Sequence, residues 1–364
     1  MADVGVFLPS LRGGGAERVM LNLAIGFLDR GLTVDLVLVN AEGPYLSEVP
    51  PGIRLVDLRS RRTLSALLPL SRYLRQDPPS ALLSAMDHTN AVAFMARKLA
   101  GVDTRSVGTI HTTISESVSR ANNLRHRLSP LWIRALYPLG DHLVAVSSGV
   151  AADFLRTAGR RSPSVSVIPN PVITRNVRVK AGQAIEHPWF ARDDVPVLLS
   201  VGRLARPKGL NCLLEAFRLV RAERAARLII LGDGPERGPL ERLADALGVS
   251  ADLDMPGFLE NPYKFMANAD VFVLSSEWEG LPTALIEALA LGTRVVATDC
   301  PSGPSEILGT DSPWLVPVGD PHALASAINR RLDSQEPPAS HLSPYTVEEA
   351  VERYLEVLEI APRV

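Results

Sequence analysis

The sequence predicts an α/β protein with two doubly wound domains, each built on a parallel β-sheet that helices cover on both faces. Short apolar runs alternate with helical patterns along both halves of the chain, which is typical of repeated βαβ units. At 364 residues the chain is too long for one ordinary domain and about right for two. The alternation stops over 172–195, where polar sequence contains proline and glycine, and then begins again.

The first half opens with Val-Gly-Val-Phe-Leu at 4–8, an apolar run that fits a strand buried on both faces. The other elements follow in βαβ order. They are a helix over 16–29, strands at 33–39 and 54–58, a helix over 64–75, a strand at 81–85, a helix over 88–100, and strands at 106–110 and 142–147 with a helix after them.

The second half repeats the pattern. It predicts strands at 197–201, 226–231, 252–256, 270–275 and 294–298, and helices over 210–221, 240–247 and 282–291. Apolar residues of 346–360 form one helical stripe, which indicates a terminal helix that packs back on the protein. We therefore predict a first domain over 1–171, a linker over 172–195, a second domain over 196–343, and a C-terminal helix within 344–364.

Charge and cysteine content exclude several classes of protein. The net charge is −2 and the isoelectric point is near 6.4, so nucleic acid is not an expected partner, because its binders carry an excess of basic residues. Cys212 and Cys300 belong to no Cys/His cluster, so we expect no metal and a reducing, cytoplasmic location. The start of the chain lacks a signal-peptide pattern, and no apolar run is long enough to predict a membrane-spanning helix.

Basic residues are concentrated in the first half. Residues 1–170 contain 19 Lys and Arg against 13 Asp and Glu, whereas the rest contains 19 against 27. This asymmetry fits an anionic partner for the first domain, and chance would also produce it. Two clusters stand out, Arg59, Arg61, Arg62, Arg72 and Arg75, and then Arg120, Arg125, Arg127 and Arg134. The second cluster is amphipathic, so it either contacts an anionic membrane or turns its apolar stripe to the domain core.

Three consecutive glycines, Gly13 to Gly15, lie between the first predicted strand and the first helix. Glycine allows close approach to the backbone, and the first N–H groups of a helix attract anions, so the loop predicts a phosphate site. A plain strand-to-helix turn would have the same composition. The spacing matches neither GxGxxG nor a Walker A motif, which disfavours an NAD-linked oxidoreductase and a P-loop enzyme.

The loop after the strand at 197–201 is basic and carries Arg203, Arg206 and Lys208 just before a helix. Arginine presents a planar fork to phosphate oxygens and lysine a mobile point charge, so this loop is a second candidate phosphate site. A solvated basic loop is the alternative. The chain has only four lysines, so Lys208 is not simply one of many solvated surface lysines.

The segment 275–287 places two carboxylates, Glu279 and Glu287, eight residues apart. Pro282 suits the first turn of a helix, whose leading N–H groups have no partner inside the helix. Those groups belong to Gly280, Leu281 and Thr283. Glu287 has mainly apolar neighbours in sequence, so burial of its carboxylate would require a partner. A hydroxyl-rich ligand meets that need, and so does a buried arginine or a backbone cap.

Several motifs occur in a fixed order: GGGAERVMLNLA, TIHTTIS, AVSSGVAADF, VIPNPV, VGRLARPKGL, ILGDGP, ADVFVLSSEWEGLPTALIEALALGTRVVATD and CPSGPSEIL. Together they make the chain resemble the retaining glycosyltransferases of family four over almost its full length. Glu279 and Glu287 have the family's Glu-x7-Glu spacing. The resemblance implies the GT-B fold, in which two Rossmann-like domains face an interdomain cleft.

The resemblance also implies catalytic roles. Arg203 and Lys208 would bind the diphosphate of a nucleotide-sugar donor and stabilise the negative charge that grows as the anomeric carbon–oxygen bond breaks. Glu279 would bind hydroxyls of the donor sugar. His111, at the end of a strand, would face that sugar near the reaction centre, although a lone histidine also fits a structural role.

A second set of residues is implied to bind the donor. Gly14 and Gly15 would approach the diphosphate or the sugar through their backbone, and Glu287 would take the ribose hydroxyls. The full donor-binding set is Gly14, Gly15, Gly280, Leu281, Thr283 and Glu287.

The implied activity is metal-independent transfer of a hexose or N-acetylhexosamine, from a UDP-sugar rather than a GDP-sugar, to a lipid-linked saccharide or an envelope or exopolysaccharide glycan. The nucleotide sugar is then a substrate, and no cofactor is expected. Peripheral contact with the inner face of the cell membrane fits such an acceptor. Two other functions stay open: a sugar-nucleotide epimerase of the same fold, and a catalytically silent sugar-nucleotide-binding protein, which the intact Arg203, Lys208, Glu279 and Glu287 disfavour.

Overall fold

The computed structural model describes residues 1–119, 129–159, 162–191, 195–337 and 341–361. The chain forms two compact units, Met1–Val172 with Ser343–Val364, and Ile173–Leu342. Each unit contains one parallel sheet with helices around it. The α/β class predicted from the sequence is thereby confirmed.

The first sheet has the strand order β3-β2-β1-β4-β5-β6-β7. Its strands are β1 (Val4–Leu8), β2 (Val34–Leu38), β3 (Ile53–Asp57), β4 (Ala81–Ala85), β5 (Arg105–Ile110), β6 (His142–Ala145) and β7 (Ser164–Val167). All five residues of β1 are buried, because both faces of this central strand are covered. The order reverses between β1 and β4, which pair directly in parallel.

The helices of this sheet begin with α1 (Gly15–Asp29), α2 (Leu67–Gln76), α3 (Asp87–Ala100), α4 (Ile114–Ser119), α5 (Ser129–Leu136) and α6 (Ser148–Ala158). A 3-10 turn over Thr63–Ala66 leads directly into α2. Phe7 of β1, Leu70 of α2 and Val92 of α3 belong to one buried cluster. Ser147 caps α6 by accepting a hydrogen bond from the Val150 N–H at 3.2 Å, as expected of an N-cap serine.

The second sheet has the order β10-β9-β8-β11-β12-β13. Its strands are β8 (Val197–Val201), β9 (Arg227–Leu231), β10 (Leu253–Gly257), β11 (Val271–Leu274), β12 (Val295–Thr298) and β13 (Leu315–Val316). Its helices are α7 (Arg175–Ala181), α8 (Leu210–Glu223), α9 (Arg237–Leu247), α10 (Tyr263–Asn268), α11 (Thr283–Ala290), α12 (Pro304–Leu308) and α13 (Pro321–Asp333). The order reverses between β8 and β11.

The last helix, α14 (Val347–Leu358), belongs to the first unit and packs on α1. Gly26 of α1 makes this packing close, because a Cβ there would lie 2.6 Å from Val351 Cγ2 and 2.7 Å from Val347 Cγ1. Arg105 anchors the far end of α14 by donating from Nε to the Val357 carbonyl at 2.7 Å.

The segment predicted as a linker, 172–195, differs from that prediction. It contains α7 and belongs with the second unit from Ile173 onward. Its polar residues make specific contacts: Asn261 Nδ2 donates to the Lys180 carbonyl at 2.8 Å, and His187 Nε2 lies 2.9 Å from Asp254 Oδ2. The polar side chains of this segment form hydrogen bonds within the second unit, so the segment is not a solvent-exposed linker.

Several further elements were not predicted, among them β7 and α13. β7 is short and only partly buried, so it lacks a long apolar run. α13 begins with Pro321 after the N-cap Asp320, whose carboxylate accepts from the Ala323 N–H at 2.9 Å. The Asp-Pro pair was an available signal for its start. Among the described helices, none combines the length and apolar character that a membrane crossing requires.

Candidate active site

Most candidate residues lie where the strand order of a sheet reverses. In the second sheet β8 and β11 are neighbours, and the loops that follow them carry Lys208 and Glu279. In the first sheet the glycine-rich loop follows β1 at the corresponding point, and His111 follows β5. Open parallel sheets bind ligands outside the carboxyl ends of their strands at such a switch point.

The two loops of the second sheet interlock through their backbones. Gly209 has φ +57°, and a Cβ there would lie 2.1 Å from the Ser275 carbonyl oxygen. The Ser275 hydroxyl donates to the Lys208 carbonyl at 2.8 Å, and the Glu277 N–H donates to the Pro207 carbonyl at 2.7 Å. Only glycine allows this close approach.

This contact brings Lys208 and Glu279 together. Lys208 Nζ lies 2.6 Å from Glu279 Oε1, and the Ser276 hydroxyl donates to the same oxygen at 2.6 Å. Ser276 is fully buried, and its carbonyl accepts from Thr298 Oγ1 at 2.6 Å. The sequence assigned these two charges to separate parts of a donor; in the structure they also bind one another.

Arg203 lies beside this pair. Its side chain is exposed, and it lines one small cavity with Gly202, Lys208 and Ser276. The backbone that carries Arg203 rests on the turn after β9. A Cβ on Gly232 would lie 2.0 Å from the Gly202 carbonyl oxygen, and the motif ILGDGP therefore shapes the loop that holds Arg203.

Asp233 in the same turn has a structural role. Its Oδ2 accepts from the Phe258 N–H at 3.1 Å, and its Oδ1 lies 3.2 Å from Arg237 NH1. The carboxylate thus joins the turn after β9 to the end of β10.

The start of α11 differs in detail from the prediction. Pro282 is the N-cap rather than the first helical residue. The carbonyl of Gly280 accepts from the Ser302 hydroxyl at 2.7 Å, which attaches the loop to the CPSGPSEIL segment. Within the described ranges, the amides of Leu281 and Thr283 donate to no protein acceptor. Those two amides match the expectation of unfilled donors at this helix start.

Glu287 corrects the expectation of a buried carboxylate. It is half-buried, and its Oε1 accepts from the Tyr263 hydroxyl at 3.3 Å. The reason is helical geometry: Leu285, Ile286 and Ala288 turn to the core, and Glu287 falls on the other face of α11.

The glycine-rich loop of the first sheet already binds an anion of its own. Glu17 is buried, and its Oε2 accepts from the N–H groups of Gly13 at 2.9 Å and Gly14 at 3.0 Å. Its Oε1 accepts from the Ser10 hydroxyl at 3.0 Å. The sequence predicted that the backbone of Gly14 would bind a ligand. Its amide is not available for this, because Glu17, the third residue of α1, caps its own helix. A Cβ on Gly15 would meet no atom within 4 Å, so that position is open.

A neighbouring segment, 40–48, holds the glycine-rich loop from the side. Gly43 has φ +115°, and its missing Cβ would lie 2.1 Å from the Leu11 carbonyl oxygen. The Tyr45 hydroxyl donates to the Gly13 carbonyl at 3.3 Å, and the Arg18 guanidinium lies 3.7 Å from the Tyr45 ring centroid. Arg18 also makes two hydrogen bonds of 2.7 Å to Glu48. Nothing in the sequence spacing indicated this brace.

Thr109 positions the imidazole of His111. His111 Nε2 lies 2.8 Å from Thr109 Oγ1, and the same hydroxyl oxygen lies 3.1 Å from the Ser84 carbonyl. Because Nε2 takes part in this hydrogen bond, Nδ1 is the ring nitrogen left for another partner. Burial lowers the pKa of His111 to about 4, so the imidazole is neutral at physiological pH.

Among the residues that the structure describes, the other chemistry-bearing groups do not form a second centre. No group of three or more metal-ligating side chains occurs in the part of the chain that the structure describes. Asp252 and Asp254 have DxD spacing, but they pair with Arg221 at 2.5 Å and His187 at 2.9 Å. Burial raises the pKa of the Cys300 thiol to about 12, so it is protonated at neutral pH.

The second basic cluster falls largely outside the described residues, which include Arg134 but not Arg120, Arg125 or Arg127. Arg134 donates from Nε to the Thr157 carbonyl at 2.7 Å. On the same helix Ile133 is buried and Leu131 is 62% exposed.

Two family models match this chain. Glycosyltransferase Family 4 matches residues 13–176, and Glycosyl transferases group 1 matches residues 183–347. The chain belongs to the group 1 glycosyltransferases. Solved structures place this glycosyltransferase in the GT-B fold, as the sequence resemblance implied.

Relatives that this chain resembles over most of its length are named as glycosyltransferases. A Campylobacter jejuni N-acetylgalactosamine-N,N'-diacetylbacillosaminyl-diphospho-undecaprenol 4-alpha-N-acetylgalactosaminyltransferase is 29% identical and covers 92% of each chain. The lipopolysaccharide core biosynthesis glycosyltransferase LpsD of Rhizobium meliloti is 26% identical, and the match covers 88% of this chain and 85% of LpsD. The structure of Anabaena Alr3699/HepE in complex with UDP and glucose has a TM-score of 0.76 at 19% identity, over 99% of this chain and 100% of that one.

Replacement of Glu17 by Ala should lower the free energy of unfolding of the first unit by about 2 kcal/mol, because three donors lose their buried acceptor. Urea unfolding followed by circular dichroism measures this. Glu42→Ala is the matched control: Glu42 pairs with the exposed Arg12, and its removal should change stability by less than about 0.5 kcal/mol. Equal effects of the two variants would contradict the capping role of Glu17.

The first unit should lose stability as the pH falls from about 6.5 to 4. An unfolded His111 takes up a proton over this range and the folded one does not, so the loss reaches about 1.4 kcal/mol per pH unit. His111→Gln should reduce that slope, measured by urea unfolding at pH 4.5 to 7. Some slope remains in the variant, because burial also lowers the pKa of His142. An unchanged slope would show that His111 titrates normally in the folded protein.

Proposed function

We propose that this glycosyltransferase is a retaining, metal-independent enzyme. It moves a hexosyl or N-acetylhexosaminyl group from a UDP-sugar to a lipid-linked saccharide or an envelope or exopolysaccharide glycan. The observation that carries the proposal is the gathering of Arg203, Lys208 and Glu279 at the switch point of the second sheet. The names of the Campylobacter and Rhizobium relatives support the acceptor class, and the UDP complex of HepE supports the nucleotide.

Lys208 and Arg203 are proposed to bind the donor diphosphate. A lysine ammonium has three N–H donors, and Glu279 Oε1 uses one of them, so two remain for phosphate oxygens. The paired Lys208 and Glu279 are together neutral, so the exposed Arg203 supplies the net positive charge. As the anomeric bond breaks, these fixed donors stabilise the negative charge that collects on the diphosphate.

Glu279 is proposed to orient the transferred sugar. Its Oε1 is held by Lys208 and Ser276, both at 2.6 Å, which fixes the carboxylate plane. The other oxygen, Oε2, is then directed by that plane and accepts from a sugar hydroxyl. An anchored carboxylate loses less side-chain entropy on binding than a free one.

The remaining donor contacts follow from the same loop. The amides of Leu281 and Thr283 are proposed to bind donor oxygens, with Gly280 allowing close approach of the ligand. The half-buried Glu287 is proposed to accept from the ribose hydroxyls, with Tyr263 holding its Oε1.

In the first unit, Gly15 and His111 are proposed to contact the donor. Gly15 offers open backbone, whereas the Gly14 amide serves Glu17 and acts on the ligand only through the shape of the loop. Neutral His111 presents Nδ1 to hydrogen-bond a sugar hydroxyl.

The proposed chemistry retains the anomeric configuration. The bond from the anomeric carbon to the phosphate oxygen breaks, and the acceptor oxygen bonds that carbon on the same face. The acceptor's proton passes to the departing phosphate oxygen, so no protein base is needed. The proposed location is the cytoplasmic side of a membrane that holds the acceptor.

Nucleotide binding tests the donor assignment. In a thermal-shift series with UDP, GDP, ADP and TDP, UDP should raise the unfolding temperature most, since a ligand at 100 times its dissociation constant adds about 2.7 kcal/mol of stability. UDP should give a smaller shift with Arg203→Ala, which removes an exposed side chain without disturbing the core. Equal shifts for all four nucleotides would contradict UDP selectivity.

Lys208→Ala should lower kcat for sugar transfer by about 10²–10³-fold, because it removes a donor that stabilises developing charge. The matched control is Lys264→Ala, in the same unit, whose ammonium donates to the Ala184 carbonyl. Transfer is measured with EDTA present, and NMR of the product reports its anomeric configuration.

Full activity of Lys208→Ala would remove the assigned role. Loss of wild-type activity in EDTA would contradict metal independence. Donor turnover without acceptor, with epimerised sugar as the product, would favour an epimerase instead.

A further inference from the structure

The surface of α2 combines exposed leucines with unneutralised arginines. Residues 58–76 contain five arginines and no acidic residue. Leu64 is 69% exposed and Leu68 is 57% exposed, which is unusual for large apolar side chains so close together. The proposed transfer reaction uses none of these residues.

Helical geometry gathers the exposed side chains of residues 64–75 on one side, and Arg61 and Arg62 lie in the bend just before the first turn. The 3-10 turn Thr63–Ala66 continues into α2, so residues three or four apart share a face. The opposite side is the core side, where Ala66, Leu70 and Leu74 are fully buried. We call the exposed set the α2 face. It consists of Arg61, Arg62, Leu64, Leu68, Arg72 and Arg75.

The positive charge of the α2 face is not cancelled by the protein. Within the described part of the chain, Arg61, Arg62 and Arg72 form no ion pair with a carboxylate. Arg75 donates from NH2 to the Leu99 carbonyl at 2.6 Å, which is a neutral acceptor. Leu99, itself 46% exposed, extends the apolar area beside Arg75.

We propose that the α2 face docks the first unit on an anionic phospholipid bilayer. The leucines would enter the interface between headgroups and acyl chains, and the arginines would pair with lipid phosphates and anionic headgroups. This inference rests on the proposed function in one respect, since a lipid-linked acceptor lies in such a bilayer.

The composition of the face favours lipid over a nucleic acid. Binders of single strands stack bases on exposed aromatic rings, and the one aromatic residue of α2, Tyr73, is buried with its hydroxyl donating to Asp35 at 2.6 Å. Exposed leucines gain nothing from a phosphate backbone, whereas each gains free energy when it leaves water for the acyl region.

Vesicle co-sedimentation tests the proposal. Wild-type protein should bind phosphatidylcholine vesicles that contain about 30% phosphatidylglycerol, bind pure phosphatidylcholine weakly, and lose binding as salt screens the charges. Arg61→Gln/Arg72→Gln should weaken binding by roughly 30-fold, the effect of two interfacial basic side chains. Leu64→Ser/Leu68→Ser should weaken it by roughly tenfold or more without any change of net charge.

The matched control is Arg218→Gln/Arg242→Gln. These arginines are exposed on α8 and α9 of the second unit, so the variant loses the same charge from another surface. It should bind vesicles within about twofold of wild type, because interfacial attraction is local. Circular dichroism and thermal unfolding without nucleotide establish that each variant is folded.

Three outcomes would overturn the proposal. They are the absence of binding to anionic vesicles, equal losses in the control variant, and an effect of the arginines that the leucines do not share. The last outcome, with equal binding to heparin or duplex DNA, would identify a site for soluble polyanions. Since no nucleotide is used, a negative vesicle result leaves the UDP shift intact, and failure of the donor assignment leaves vesicle binding intact.

Discussion

The close approach of Gly209 to the Ser275 carbonyl is the constraint on which the site of the second sheet depends. A side chain at that position would separate two loops that are 66 residues apart in sequence. Their contact sets the Lys208 ammonium 2.6 Å from Glu279. The Ser276 hydroxyl donates to the same carboxylate, and the Thr298 hydroxyl donates to the Ser276 carbonyl. A single backbone position therefore controls the geometry of both charged groups, and through them any ligand that binds at the switch point.

At both switch points the protein already pairs some of its own charged groups and hydrogen-bond donors before a ligand arrives. In the second sheet a carboxylate neutralises a lysine, and in the first sheet the buried Glu17 takes the amides of Gly13 and Gly14. Unpaired charges or donors in these half-buried loops would be costly, so the pairing stabilises the loops. For the proposed donor, this means that a diphosphate would bind only the Lys208 N–H groups that Glu279 leaves free, and that the amides of Gly13 and Gly14 are already taken by Glu17.

Of the four non-glycine residues with positive φ in the described part of the chain, two lie beside the same points. Met86 follows β4, which neighbours β1, and has φ +75°; Ser302, whose hydroxyl holds the Gly280 carbonyl, has φ +71°. Non-glycine residues adopt such angles at a cost of about 1–3 kcal/mol, and they persist only where surrounding contacts impose them. At Ser302 the contact is visible, since Gly303 packs against Pro282 with no room for a Cβ. The contacts of Ser302 and Gly303 that order the loop before α11 offset the free-energy cost of this backbone angle.

Sequence patterns predicted what depends on local composition, and they failed where a contact joins distant segments. Buried runs such as 4–8 and 197–201 become central strands because parallel sheets require apolar residues on both faces. Motif spacing predicted that Lys208 and Glu279 lie near one ligand, but not that they bind each other, because that depends on the path of two loops. The brace of Arg18, Tyr45 and Glu48 is invisible to spacing for the same reason. Glu17 is the instructive exception: a glutamate three residues after an N-cap glycine is a local signal, and reading it as a helix cap would have assigned the Gly14 amide correctly.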